Sequence, residues 1–167
     1  MTTPTDEFAR IRTYLQQQAG EKSIEDLIGR VQEGMDELAA AGRSIDPARF
    51  AEVPPGETWS PRDCLTHAAA SNIHVAQQVL YVAHTGELPI EGEPTLPADR
   101  EQILVRQAEA IASLYEHVRE ARPDAYLEVT WQHPFFGDLN WREWLLFLRI
   151  HCRDHARQLT AMKESLG

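Results

Sequence analysis

Four stretches of the chain repeat apolar residues every three or four positions, and residues that start and stop helices bracket each one. In SIEDLIGRVQEGMDELAAAG, residues 23–42, the stripe is Ile24, Leu27, Ile28, Val31, Met35 and Leu38, with Ser23 as N-cap and Gly42 at the C-cap position. The second helix starts sharply at TWSPRDCLTH. There Ser60 caps, Pro61 takes the first helical position and Trp59 packs back on the first turns; the helix runs to about His84, before Gly86. A third spans about 97–121, with Ile103, Ala110, Ile111 and Leu114 inward and Pro123 as its stop. The last runs from Trp141 to about Ser165 and opens on a capping box of Asn140 and Glu143. Only YLEVTWQHPFFGDL, 126–139, has strand-like residues, around a Pro and a Gly, and reads as a short hairpin or an irregular loop.

Each amphipathic stripe has to be buried against another element, and four of them do so naturally in an all-α four-helix bundle. A short extra N-terminal helix over 4–18, with Phe8, Ile11 and Leu15 on one face, precedes them. The expected organisation is one domain over 1–167, with residues 1–20 as a leading helix or arm. The link TGELPIEGEPTLP, 85–97, is longer than the roughly 2–8 residues of a tight helix hairpin. It predicts a crossover between helices that are not simple up-down neighbours.

An apolar fraction of 43% in 167 residues is enough for a packed core. No apolar run approaches the roughly 18 residues of a membrane span, and MTTPTDEFAR lacks the basic start and apolar core of a signal peptide, so a cytoplasmic location is expected. Twenty-six acidic residues against 16 basic, a net charge of −10, argue against nucleic acid as a partner. Arg149, Arg153 and Arg157 read as a solvated row on the last helix. Cys64 and Cys152 are too few for a disulfide framework and read as reduced, buried thiols.

The chemistry lies in the histidines. The last stripe reads Trp144, Leu145, Leu148, His151, His155, Leu159, Met162, so two imidazoles one turn apart face the interior. On the second helix the inward face reads Cys64, His67, Ala68, Ser71, Val75, Val79, Val82, which adds a third. Neutral imidazoles in an apolar core need partners, at about 1–3 kcal/mol for each group left unpaired, and one metal ion satisfies all three. His74, two turns beyond His67, is too far along the axis to share that ion but is a weak candidate pocket residue or base. His133, in the loop before the last helix, is a second weak candidate at the open end. Cys152 follows His151 and points about 100° away from it. Gln158 is a candidate supporting residue, and Trp131, Phe135, Phe136, Trp141 and Trp144 are core residues or an aromatic rim.

Two segments resemble the DinB/YfiT-like superfamily of small four-helix metalloenzymes. One is TWSPRDCLTHAAASN; the other is HPFFGDLNWREWLLFLRIHCRDHARQL, a Pro-Gly turn, a capped aromatic-rich helix and H-x3-H followed by Gln-Leu. The resemblance runs from about residue 20 to the end. It implies an up-down-down-up bundle and a divalent metal held by His67, His151 and His155, and it leaves the substrate open.

Three protein nitrogens leave a fourth position for water or substrate. Such a donor set suits Zn²⁺ or Ni²⁺ and also accepts Fe²⁺, Co²⁺ or Mn²⁺. The expected function is therefore a divalent-metal-dependent enzyme that activates water or a low-molecular-weight thiol for hydrolysis or group transfer on a small-molecule substrate. The alternative is a non-catalytic small-ligand-binding or stress-response module with structural histidines. A homodimer is compatible with the many amphipathic helices, though nothing in the residues names its face.

Overall fold

Every long helix begins where a short polar side chain closes its first turn. Thr3, Ser23, Ser60, Asp99 and Asn140 each accept the backbone N–H three residues on, and Thr3, Ser60 and Asn140 complete capping boxes with Asp6, Asp63 and Glu143. In the computed structural model, which describes residues 3–167, the helices are α1 (Pro4–Glu21), α2 (Ile24–Arg43), α3 (Pro61–Thr85), α4 (Arg100–Val118) and α5 (Trp141–Leu166). A short antiparallel hairpin, β1 (Trp131–His133) and β2 (Gly137–Leu139), precedes α5, with Trp131 opposite Leu139 and His133 opposite Gly137.

The boundaries differ from expectation at three places. The leading helix is not short: α1 has 18 residues and buries Leu15 and Ala19. Gly42 does not end α2, because the turn continues through Arg43 and Ser44 takes the cap; Gly42 is there to let Leu65 pack at its Cα. α4 covers 100–118 rather than 97–121, since the Asp99 side chain supplies the first cap and the chain leaves the helix in turns after Arg119. Gly86 does end α3, at φ 71, with the Tyr126 ring where a Cβ would stand.

Cross-helix contacts give the direction of each helix. On α5, Arg149 and Arg153 pair with Glu33 and Glu37 of α2, so those two helices run parallel. Cys64 meets Gln158 while Asn72 meets His151, which makes α3 antiparallel to α5. Arg43 pairs with Glu101 and Arg119 with Glu25, so α4 is antiparallel to α2. The ends of α3 and α4 meet where His84 Nε2 contacts the His117 carbonyl. The order is up-down-down-up, with α5 packed against both α2 and α3, and α3 against α4. Parallel neighbours α3 and α4 need a connection running back along the bundle, and the long 86–99 link supplies it.

The core is a continuous set of Leu, Ile, Val and Ala side chains from α2, α3, α4 and α5, closed at one end by Trp141, which donates its indole N–H to the Ala125 carbonyl at 2.7 Å. α2 and α5 approach most closely at Gly34, where a Cβ would stand 3.1 Å from the Arg149 backbone. Arg142 is buried and donates to the carbonyls of Ala19 and Lys22 at the end of α1 and to Pro123, joining α1 and the 119–130 segment to α5. No helix among the described residues is long and apolar enough to cross a membrane.

Candidate metal centre

α3 and α5 run antiparallel, which sets the first third of α3 beside the middle of α5. The three histidines meet there. One ring nitrogen from each of His67, His151 and His155 lies within 4.8 Å of the others, and His151 Nε2 and His155 Nε2 are 3.1 Å apart. The His67 ring is 5.1 Å from that of His155 and is backed by Trp59 at 5.0 Å, so the residue before the α3 cap does pack on the first turns.

Two carboxamides set the orientation of the pair. Asn72 Oδ1 lies 2.9 Å from His151 Nδ1, and Gln158 Oε1 lies 2.9 Å from His155 Nδ1. An amide oxygen only accepts, so each imidazole carries its proton on Nδ1 and turns a bare Nε2 lone pair inward. The Asn72 amide is itself fixed, because its Nδ2 donates to Gln107 Oε1 of α4 at 2.8 Å. Two bare acceptors 3.1 Å apart repel each other unless a proton or a cation lies between them. Burial, reinforced by the neighbouring histidines, pushes the His151 pKa down to about 3. Burial also lowers that of His67, with His155 adding to the effect and Glu93 opposing it. His67 and His151 are therefore neutral at ordinary pH, the form that donates a lone pair.

The cysteines behave as buried thiols. Burial, with Asp154 in second place, raises the Cys64 pKa to about 12, and its S–H donates to Gln158 Oε1 at 3.4 Å. Cys152 packs on Asn72 and Met35, away from the triad, with its pKa also raised to about 12 by burial.

The triad opens into a cavity of about 740 Å³. One wall is aromatic: Trp131, Phe136, Trp144 and Phe147, with Phe135 at the rim. Trp141 is not part of it and is wholly buried in the core. The Trp131 and Trp144 rings stack 5.3 Å apart, nearly parallel. α1 lends Glu7, Phe8 and Ile11 to the wall, and Phe8 stacks on Phe135 at 5.0 Å. Both weaker histidine candidates border the same cavity. His74 Nε2 lies 3.4 Å from Glu91 Oε2, and His133 sits among the aromatics. The crossover link brings in acids that the helix stripes do not contain. Glu93 accepts from the Ser71 hydroxyl at 3.2 Å, so Glu91 and Glu93 stand at the mouth with Glu7, Asp154 and Arg157.

Helix periodicity missed Asn72, Gln107 and these link acids. Asn72 carried a signal: an amide midway along the alanine-rich helix AAASNIHVA costs helix propensity and needs a buried partner. Gln107 carried none, because its partner Asn72 lies on another helix, and the link acids carried none, because a loop's path is set only by what it crosses.

No curated protein matches this sequence. Among solved structures the chain is similar to TT2238, a four-helix bundle protein, at 26% identity and a TM-score of 0.59 over 83% of this chain and 99% of that one. It is also similar to the mycothiol-dependent maleylpyruvate isomerase, at 20% identity and TM-score 0.56, and to a mutant of it, at 19% and 0.65. In both cases the similarity covers 84% of this chain but 62% of the isomerase, and it is a likeness of fold. A family model described as the DinB superfamily matches residues 30–159, which takes in α3, the hairpin and all three histidines. By the extent of that match, the chain belongs to the DinB superfamily.

Proposed function

We propose that His67, His151 and His155 hold one divalent cation, and that the chain is a metal-dependent enzyme acting on a small molecule in the adjoining cavity. The supporting observation is the pair of bare Nε2 lone pairs at 3.1 Å, each held in that tautomer by a carboxamide on the far side of its ring. Metal-ligating histidines are oriented in this way, through the ring nitrogen that does not bind. The all-nitrogen donor set suits Zn²⁺ or Ni²⁺, with Fe²⁺, Co²⁺ and Mn²⁺ as further candidates. When bound, the cation supplies a Lewis acid with a spare ligand position, which lowers the pKa of a water or a small thiol there toward neutrality.

The protein's own part is positioning and shielding. Asn72, braced by Gln107, and Gln158 hold the imidazoles in place. The Trp131–Trp144 stack and Phe147 keep that side of the cavity dry and offer a flat surface to an apolar or planar substrate group. His74 and Glu91, at the mouth, form a pair able to hold and pass a proton. Hydrolysis and thiol-dependent group transfer both fit this arrangement. The second is favoured by a protein of the same fold whose name records dependence on the thiol mycothiol.

The test is elemental analysis of untagged protein beside His67→Ala and His151→Ala. About one divalent ion per chain is expected in the parent and far less in both variants, with helix content by circular dichroism unchanged. A parent that takes up neither Zn²⁺ nor Ni²⁺ would sink the proposal and leave a non-catalytic ligand-binding module with hydrogen-bonded histidines.

A further inference from the structure

His133 is a buried imidazole with no part in holding the cation. It lies at the end of β1, 5% exposed, with its ring 4.4 Å from those of Phe136 and Phe147. Phe147 is also the neighbour of His151, at 5.4 Å, so His133 and the triad flank one ring on the same cavity.

The tautomer of His133 is set by the hairpin turn. Pro134 has no N–H, and the next two backbone groups, Phe135 N–H and Phe136 N–H, both donate to His133 Nδ1, at 3.0 and 3.3 Å. A nitrogen that accepts two hydrogen bonds carries no proton, so the proton of the neutral ring is on Nε2. Burial drives the pKa to about 4, which keeps the ring neutral at ordinary pH. Nε2 has no protein partner among the described residues, yet it is not sealed off. The buried side-chain nitrogens and oxygens left without partners there are Tyr115 Oη and Trp131 Nε1. Nε2 is therefore accessible, and the open space that His133 borders is the cavity.

From this geometry we infer that His133 is a neutral, fixed-tautomer hydrogen-bond donor to the substrate, through Nε2–H, and that the substrate presents an uncharged acceptor oxygen, such as a carbonyl, next to a planar or apolar group. The inference rests on reading the cavity as a substrate site. The aromatic wall around His133 selects the planar group. Four carboxylates at the cavity, Glu7, Glu91, Glu93 and Asp154, outweigh the one guanidinium of Arg157 together with a divalent cation at the triad, which disfavours an anionic acceptor. A donor held in this way polarises a carbonyl without giving up its proton, and its orientation is already set before the substrate arrives.

N-methylbenzamide, titrated into protein with ¹⁵N-labelled histidine at neutral pH, tests this. Imidazole ¹H–¹⁵N correlations read the tautomer directly, and metal-free protein suffices, so the result stands apart from whether the triad binds a cation. The free protein should show His133 protonated on Nε2, and that resonance should shift as the amide binds. Asn in place of His133 keeps an acceptor for the two backbone N–H groups and removes the donor; His133→Asn should weaken binding about five-fold, one lost hydrogen bond. His133→Gln, whose amide nitrogen falls near Nε2, should recover much of that. A proton on Nδ1 in the free protein, a His133 resonance unmoved while the amide binds, undiminished affinity in His133→Asn, or no binding up to the solubility limit would each overturn the inference. The first two are read on the wild-type chain and do not depend on any variant folding.

Discussion

Asn72 is wholly buried in the middle of α3 and serves two helices: it accepts from His151 on α5 and donates to Gln107 on α4. Replacing it with leucine removes the group that selects the His151 tautomer, so Asn72→Leu should lower Zn²⁺ affinity roughly 10- to 100-fold, measured by chelator competition. Unchanged affinity with the bundle intact would show that the carboxamide does not orient the ligand. His133 gives a pH signature in the metal-free protein. Its folded pKa, about 4, lies below the ordinary imidazole value of about 6.5, so between those values the unfolded chain binds the extra proton. Its contribution is therefore complete above pH ~6.5 and is lost as the pH falls to about 4. Melting temperatures of the wild type and His133→Asn over that window should converge as the pH drops, because the variant has no such group to titrate.

Single glycines decide how two of the elements meet. Gly86 ends α3 in the left-handed region with the Tyr126 ring against it, so Gly86→Ala adds backbone strain to a clash and should cost about 2 kcal/mol, read as a drop in the urea midpoint. Gly34 lets α2 and α5 close on the Arg149 backbone; there the φ is ordinary, and a methyl group only has to push the helices apart by a few tenths of an ångström. α1 was expected as a short arm, but it buries Leu15 and Ala19 and lends Glu7, Phe8 and Ile11 to the cavity wall, although it lies outside the region matched by the family model.

Across the whole molecule, Arg142 holds the parts together. Its guanidinium reaches the end of α1 and the 119–130 segment from the first turn of α5, and burial lowers its pKa without neutralising it. Arg142→Met keeps the packing but leaves these carbonyls without donors, at about 2–4 kcal/mol by chemical denaturation. Loss of the α1 contacts should also free Phe8 from Phe135 and open one side of the cavity. The row Arg149, Arg153, Arg157, expected as a solvated face, is partly engaged at this scale: the first two pair with Glu33 and Glu37 of α2, while Arg157 meets only Asp154 of its own helix, at 3.9 Å, at the cavity mouth.

Periodicity and capping are local. Residues three and four apart share a face, and a cap acts over three residues, so the helices, their approximate limits and the inward turn of His151 and His155 followed from the sequence alone. The length of the 85–97 link was enough to foretell a crossover. What meets across the bundle was decided only by tertiary structure. The antiparallel setting of α3 on α5 brings His67 to the pair and Asn72 to His151, residues 79 positions apart in the chain. The crossover lays Glu91 and Glu93 over the mouth. These contacts depend on the register between distant elements, which the packing of all the side chains sets together and no single segment encodes.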